Sequence, residues 1–174
     1  ETLTPGNPIT LYWDNEAGLI FTKKIEIDEK FLFKITQKIK NNSNKAFQLY
    51  PYGQITRSSK PEGRQIYILH EGFLGVFGEE LKEKDYDDIE KEKFSTNSSK
   101  GWLGITDKYW LTALVPEKGK EFKSEFSFKG NKYRANYIIK DVSILNPGSE
   151  ITNEVNTFVA AKEVSVIDNY AEKL

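Results

Sequence analysis

The stretch KGWLGITDKYWLTALVPEKG, residues 100–119, decides the fold. At its centre the apolar residues do not simply alternate with polar ones. Tyr109, Leu111, Ala113 and Val115 fall on one side of an extended chain, and Trp110 and Leu114 fall on the other. A strand that is apolar on both sides is covered on both sides. The segment therefore reads as a central strand of a layered β fold, with Asp107-Lys108 as a tight turn from the strand before it. On this reading Trp110 is a core residue. Trp102, next to Gly101, is the candidate for partial exposure and so the candidate cleft aromatic.

Outward from this stretch the period is two almost everywhere. In FLFKITQKI (31–39), Phe31, Phe33, Ile35 and Ile39 share one side, and Lys34, Thr36 and Lys38 share the other, which is a strand with one wet face. ITLYW (9–13) and LIFTKKIEI (19–27) flank DNEAG as a hairpin. NNSN (41–44) is a turn whose Asn side chains can bond nearby backbone. Further strands are predicted at 46–50, 65–70, 102–106, 108–115, 121–128, 132–142 and 150–159, with turns at PEKG, KGNK and NPG. About ten closely spaced strands with almost no helical period mean an all-β, antiparallel sandwich or barrel. The exception is the end: Val164, Ile167, Tyr170 and Leu174 recur at helical steps, and Lys173 suits a helix C-terminus. The expected organisation is one domain, 1–174, with a β-sandwich over 1–160 and a closing helix over 161–174.

Composition removes several functions. The net charge is −1, against a general nucleic-acid binder, and arginine occurs only at positions 57, 64 and 134, which leaves bidentate phosphate clamps poorly supplied. There is no cysteine, so disulfides, thiolate nucleophiles and Cys-ligated zinc are excluded. There is one histidine, which excludes multi-histidine metal sites, and no cofactor is expected. No segment has the ~18 apolar residues of a membrane helix. The chain starts at Glu1 without methionine, as an excised or processed piece would. If it belongs to a membrane machine, the membrane part lies elsewhere.

Little in the sequence points to catalysis. A Ser-His-Asp system would have to use His70, and no G-x-S-x-G accompanies it. His70 reads as a hydrogen-bonded structural residue at a strand end. GFLG and GVFG lack the strand-to-helix context of a phosphate loop. Between Glu79 and Lys93 lie 12 charged residues, which read as a solvated edge strand, loop or short helix. The stretch GFLGVFGEELKEKDYDD (72–88) is the candidate partner surface. There Phe73, Leu74, Val76, Phe77 and Tyr86 stand beside an acidic rim, and the glycines suggest a bulge or edge. The alternative is that these side chains cap one end of the sandwich.

Gly101-Trp102, Lys108-Tyr109-Trp110 and Pro116 carry a resemblance. KGWLGITDKYWLTALVP resembles the signature of the large periplasmic domain of the bacterial YidC membrane protein insertase family. LYWDNEAGLIFTKKIEIDEKFLFKITQKIKNNS is similar to that family's opening hairpin and following strand, and LYPYGQITR (49–57) to its next strand. HEGFLGVFGEELKEKDYDD resembles the variable middle of α-proteobacterial members. FVAAKEVSVIDNY (158–170) resembles the final strand and helix start, with Ala160-Ala161-Lys162 where the family often has Gly-Pro-Lys. The resemblance covers essentially the whole chain.

The resemblance implies a large twisted β-sandwich of the galactose-mutarotase type, a supersandwich, with a C-terminal helix that leads toward the next transmembrane segment through Val164, Ile167 and Tyr170. It implies a place on the periplasmic face of the bacterial inner membrane, as one domain of a membrane-anchored, multi-pass protein. It also implies partners: the SecD–SecF complex, the Sec translocon and nascent membrane proteins, met in a chaperone-like and non-enzymatic role. The middle region is where contact with SecF is expected. The competing reading is a carbohydrate-binding or aldose-epimerase-like sandwich. Sugar mutarotases use a histidine and a carboxylate in a cleft, and a single histidine weakens that reading.

Overall fold

The computed structural model describes residues 2–61 and 70–162. Among them are fourteen strands and one short helix. Every strand pairing is antiparallel. The eight-stranded sheet has the order β1 (Ile9–Asp14), β2 (Leu19–Ile27), β3 (Leu32–Asn41), β14 (Glu150–Ala161), β10 (Trp110–Val115), β9 (Gly101–Thr106), β6 (Gly72–Phe77) and β7 (Glu80–Asp85). The four-stranded sheet has the order β5 (Tyr52–Arg57), β12 (Tyr133–Ile139), β11 (Phe122–Phe128) and β8 (Phe94–Ser98). A two-stranded ribbon joins β4 (Phe47–Leu49) and β13 (Ser143–Leu145). Helix α1 (Tyr86–Lys91) follows β7.

The all-β sandwich is as the period-two pattern required. Its main core lies between the two sheets, where Phe73, Phe77, Leu103, Ile105 and Leu114 of the large sheet meet Phe122, Phe126, Ala135 and Tyr137 of the small one. The rings interlock, with Phe73 over Phe126 at 5.1 Å and Phe94 over Phe126 at 5.3 Å between centroids. A smaller cluster, Leu111, Ala113, Phe158 and Ala160, lies on the outer face of β10 and β14. β10 thus buries apolar residues on both faces, as read from its sequence. The β3 alternation also holds. Lys34 and Lys38 lie on the outer face, paired with Glu154 at 3.0 Å and Glu150 at 2.9 Å across β14. Such exposed pairs add little stability; their effect is to keep that face wet. Asn41 is fully buried and pins the turn after β3, donating to Lys45 O at 2.7 Å and Leu145 O at 3.2 Å.

Several expectations need correction. Trp110 is 60% exposed and is not a core residue. It shares the inner face with Leu114, but burial along that face falls from Leu114 through Thr112 to Trp110, where cover ends. Phe31 does not share the apolar side of β3. It sits exposed in the preceding turn with φ 63°. Strands β6, β8 and β13 lie outside the strands expected from the period-two pattern. The charged segment resolves into edge strand β7 and helix α1. The predicted strand 65–70 falls outside the described residues except for His70. The closing helix does too, beyond Ala161, which ends β14, and Lys162.

Two outcomes follow. Phe73→Ala, at a fully enclosed ring, should lower unfolding free energy by about 3–5 kcal/mol, whereas Trp110→Ala should cost about 1 kcal/mol or less in the same urea titration. The second concerns Tyr137. Its hydroxyl is pushed from 10.0 up to about 12, first by burial and then by the Glu117 carboxylate. The folded state keeps this group neutral where the unfolded chain ionises. Stability is therefore intact below about pH 10 and falls as pH rises toward 12. The urea midpoint should drop between about pH 9 and about pH 11, and drop less in Tyr137→Phe.

Candidate functional site

The inner face of the eight-stranded sheet is wider than the four-stranded sheet that packs on it. The uncovered part lies on β1, β2, β3 and the first half of β14, and it forms one wall of an open groove of about 840 Å³. Register places Trp13 opposite Phe21, Phe21 opposite Ile39, and Ile39 opposite Ile151, so these side chains form one row across four strands. Gln37 and Asn153 form the next row, with the Asn153 amide 3.5 Å from Gln37 Oε1. Ile35 and Val155 lead inward to Leu114 and the main core. The facing wall is the chain from Leu49 to Gln54, which carries Tyr50 and Tyr52. It is held there by the Asn41-pinned turn and by the pairing of β5 with β12.

The groove is mainly apolar, with aromatic lips and a few polar groups. Trp13 stacks at a tilt on Phe21, 5.0 Å between centroids, yet remains largely open to solvent, as do Tyr12 and Tyr52. Among the described residues the charged ones that border the groove are Lys23, on the inner face, and Lys38, whose side chain lies on the outer face paired with Glu150. The Thr157 hydroxyl at the inner end is buried with no hydrogen-bond partner among the described residues. The lining contains no aspartate, glutamate or histidine among the described residues. Among the described residues, the lining groups that can exchange a proton are tyrosine hydroxyls and lysine ammonium groups, with no carboxylate or imidazole beside them.

The residues singled out in the sequence lie elsewhere. Phe73, Phe77 and Tyr86 are interior side chains, so as a partner surface they are misplaced; they are the inner face of β6 and the start of α1. The glycines that suggested a bulge permit close strand packing instead: a Cβ on Gly75 would stand 2.8 Å from Trp102 O. Leu74 and Val76 point to the opposite, outer face and are half-buried. Trp102 is half-buried beside Leu74 on that outer face, and does not line the groove. Val164, Ile167 and Tyr170 lie outside the described residues.

A second polar cluster sits at the far end of the large sheet. The His70 ring lies 2.8 Å from Phe73 O through Nε2 and 3.4 Å from Asp85 through Nδ1. The Lys162 ammonium donates to His70 O at 2.9 Å, and burial holds its pKa below the ordinary lysine value. Nearby, Arg57 pairs with Asp107, which also accepts from the Tyr86 hydroxyl at 3.3 Å. Burial pushes that hydroxyl well above the usual tyrosine range. These bonds tie β5, the β9–β10 turn and α1 together. They act as fasteners, which is the structural role read for His70. Among the described residues no group of three His, Cys, Asp or Glu side chains could hold a metal.

The aromatic residues of the groove were not identified from sequence. ITLYW read only as a hairpin strand, and LYPYG only as the next strand. The usable signal was a pair of aromatics close to a proline in each segment, Tyr12-Trp13 after Pro8 and Tyr50 and Tyr52 around Pro51.

The YidC periplasmic domain family matches residues 1–174. The chain is 48% identical over 172 residues to a membrane protein insertase YidC of Pelagibacter ubique, covering 99% of this chain and 31% of that protein. It is 40% identical over 180 residues to a protein of the same name from Rickettsia bellii, covering 99% and 32%. The chain thus spans about a third of the length of these curated relatives. Among solved structures it is similar to an α-galactosidase from Lactobacillus brevis, with TM-score 0.66 at 12% identity, over 92% of this chain and 24% of that one. It is also similar to a galactose mutarotase related enzyme from Lactobacillus acidophilus, with TM-score 0.58 at 10% identity, over 92% and 72%. These two likenesses show the fold, a mutarotase-type sandwich.

Because the groove aromatics are exposed, removing them should leave the fold nearly intact. Trp13→Ala and Tyr52→Ala should each shift unfolding free energy by about 1 kcal/mol or less in urea. A larger loss for either would make it a structural residue.

Proposed function

The chain belongs to the YidC periplasmic domain family, and on that premise we propose that it is a non-enzymatic, chaperone-like contact domain of a membrane protein insertase. Its groove receives extended, largely apolar stretches of nascent inner-membrane proteins on the periplasmic face. The observation that carries this reading is the chemistry of the groove. An open trough of about 840 Å³ has a mainly apolar floor and exposed aromatic lips, and among the described residues its lining holds no carboxylate or imidazole. Aromatic and aliphatic walls suit varied apolar segments, because ring faces contact many side chains without demanding a fixed hydrogen-bond pattern.

Partner contact belongs to a different surface in this proposal. The Sec translocon and SecD–SecF are the partners that the family resemblance implies. Leu74 and Val76, half-buried on the outer face of β6, and Leu81, exposed beside Val76 on the charged strand β7, are the apolar residues of 72–88 offered to meet them.

A sugar-binding reading rests on the same exposed aromatics and on the galactosidase-like fold. The two readings separate in one pair of measurements. With a photo-crosslinking residue at Tyr52 or Trp13 in the full-length insertase, stalled nascent inner-membrane proteins should give adducts, and the same residue at Lys129, on a distant turn, should give none. Equal adducts at all three positions, or none at the groove, would remove the polypeptide reading. A saturable change of tryptophan fluorescence with galactose would favour the sugar.

A further inference from the structure

We infer that the outer edge of β1 is a strand-addition site, at which an extended polypeptide segment pairs with Thr10–Asp14 as a ninth strand of the large sheet and lays alternate side chains along the groove. This rests on the reading of the groove as a polypeptide site and specifies how the polypeptide is held. β1 ends the strand order, and among the described residues nothing pairs with its outer side. Along it, Leu11, Tyr12 and Trp13 are 54%, 65% and 61% exposed.

The free atoms can be assigned. The Asn15 N–H donates to Leu19 O at 3.1 Å, so positions 15 and 19 face each other as a hydrogen-bonded pair. In an antiparallel ladder such pairs alternate with non-bonded ones. Trp13, Leu11 and Ile9 therefore turn their N–H and C=O groups into β2. Thr10, Tyr12 and Asp14 turn theirs outward.

The other end of the same sheet shows what a protected edge looks like. β7 reads ELKEKD, with Glu80, Lys82, Glu83, Lys84 and Asp85 charged, and interspersed charge of this kind discourages further pairing. β1 carries one charge, Asp14, at its end. It has no proline and no bulge in its pairing with β2. An edge so long, regular and apolar is a template for another strand.

The occupant follows from the same atoms. Three outward N–H and three outward C=O groups at strand spacing are matched by an extended polypeptide backbone. Leu11 and Trp13 point to the groove side, in register with Lys23 and Phe21. Lys23 has no ion pair among the described residues, and it is the one uncompensated charge of the lining. The favoured segment is thus apolar at alternate positions with an acidic side chain over Lys23.

The test uses the 174-residue chain and a blocked octapeptide of alternating valine and threonine with one glutamate on the valine side. A twin peptide carries the same side chains with alternate amides N-methylated. With the first peptide, hydrogen exchange should slow at least about tenfold at Thr10, Tyr12 and Asp14 and stay unchanged at Leu11 and Trp13. The methylated twin should not bind. Thr10→Pro removes an outward donor while keeping the ladder to β2, so it should weaken binding about tenfold at an unchanged urea midpoint. If that variant misfolds, the twin peptide still decides. No binding of the first peptide overturns the proposal. Equal binding of both peptides, with the three amides unprotected, also overturns it while leaving the groove reading intact. Protection of the three amides without peptide, together with dimers in sedimentation, gives the edge to a second copy of the chain and overturns it as well.

Discussion

β14 is hydrogen-bonded along both edges, and both halves of the large sheet hang on it. Residues 150–158 pair with β3, and residues 156–161 pair with β10. The strand changes surroundings along its length. At its start the outer side chains are Glu150, Thr152 and Glu154, which meet solvent and lysines of β3. By Phe158 and Ala160 the outer face has become an apolar cluster with Leu111 and Ala113. The inner side chains run from Ile151 and Asn153, on the groove floor, to Val155, at the margin of the main core. One continuous ladder therefore fixes the open part of the sheet relative to the covered part.

The groove is a consequence of this union and of unequal sheet widths. β5, β12, β11 and β8 cover β6, β9 and β10, and there the phenylalanine cluster excludes water. Over β1, β2 and β3 the four-stranded sheet does not extend, and among the described residues only the chain from Leu49 to Gln54 faces them. Apolar residues such as Phe21, Ile35 and Ile39, which would be core in a wider sandwich, are left lining a trough. Their burial in the free protein is incomplete, so an added apolar segment gains hydrophobic free energy by completing it. On the proposed reading, binding capacity comes from a core that is left unfinished.

The alternation of strands was legible because one-sided burial leaves a period of two. The wet face of Lys34, Thr36 and Lys38, the Asp107-Lys108 turn, and the two-sided burial of Leu111 and Leu114 all follow from that rule. What the rule lacks is the extent of the opposite layer. Trp110 has the parity of Leu114 but lies where cover has ended. Phe73 and Phe77 lie in a segment with glycines at 72 and 75 and read as an exposed edge, although β6 is internal to its sheet. Its glycines answer to backbone approach, a property of neighbouring strands; at Gly72, with φ 148°, a Cβ would stand 2.5 Å from Lys84 O. The groove failed to show for the same reason. Its walls come from residues 11–39, 49–54 and 151–157, which are united by the pairing of β14 with β3, the Asn41-pinned turn and the pairing of β5 with β12.

The most direct measurement uses the absence of cysteine from this chain. Gln37→Cys places a single thiol on the groove floor, in the middle of β3. In the full-length insertase, free of other reactive cysteines, its alkylation by a charged reagent can be followed with and without a stalled nascent membrane protein. The expected result is ready reaction in the folded state and marked slowing when the nascent chain is bound. Reaction only at the rate of global unfolding, or a rate indifferent to the nascent chain, would contradict an open, polypeptide-receiving groove.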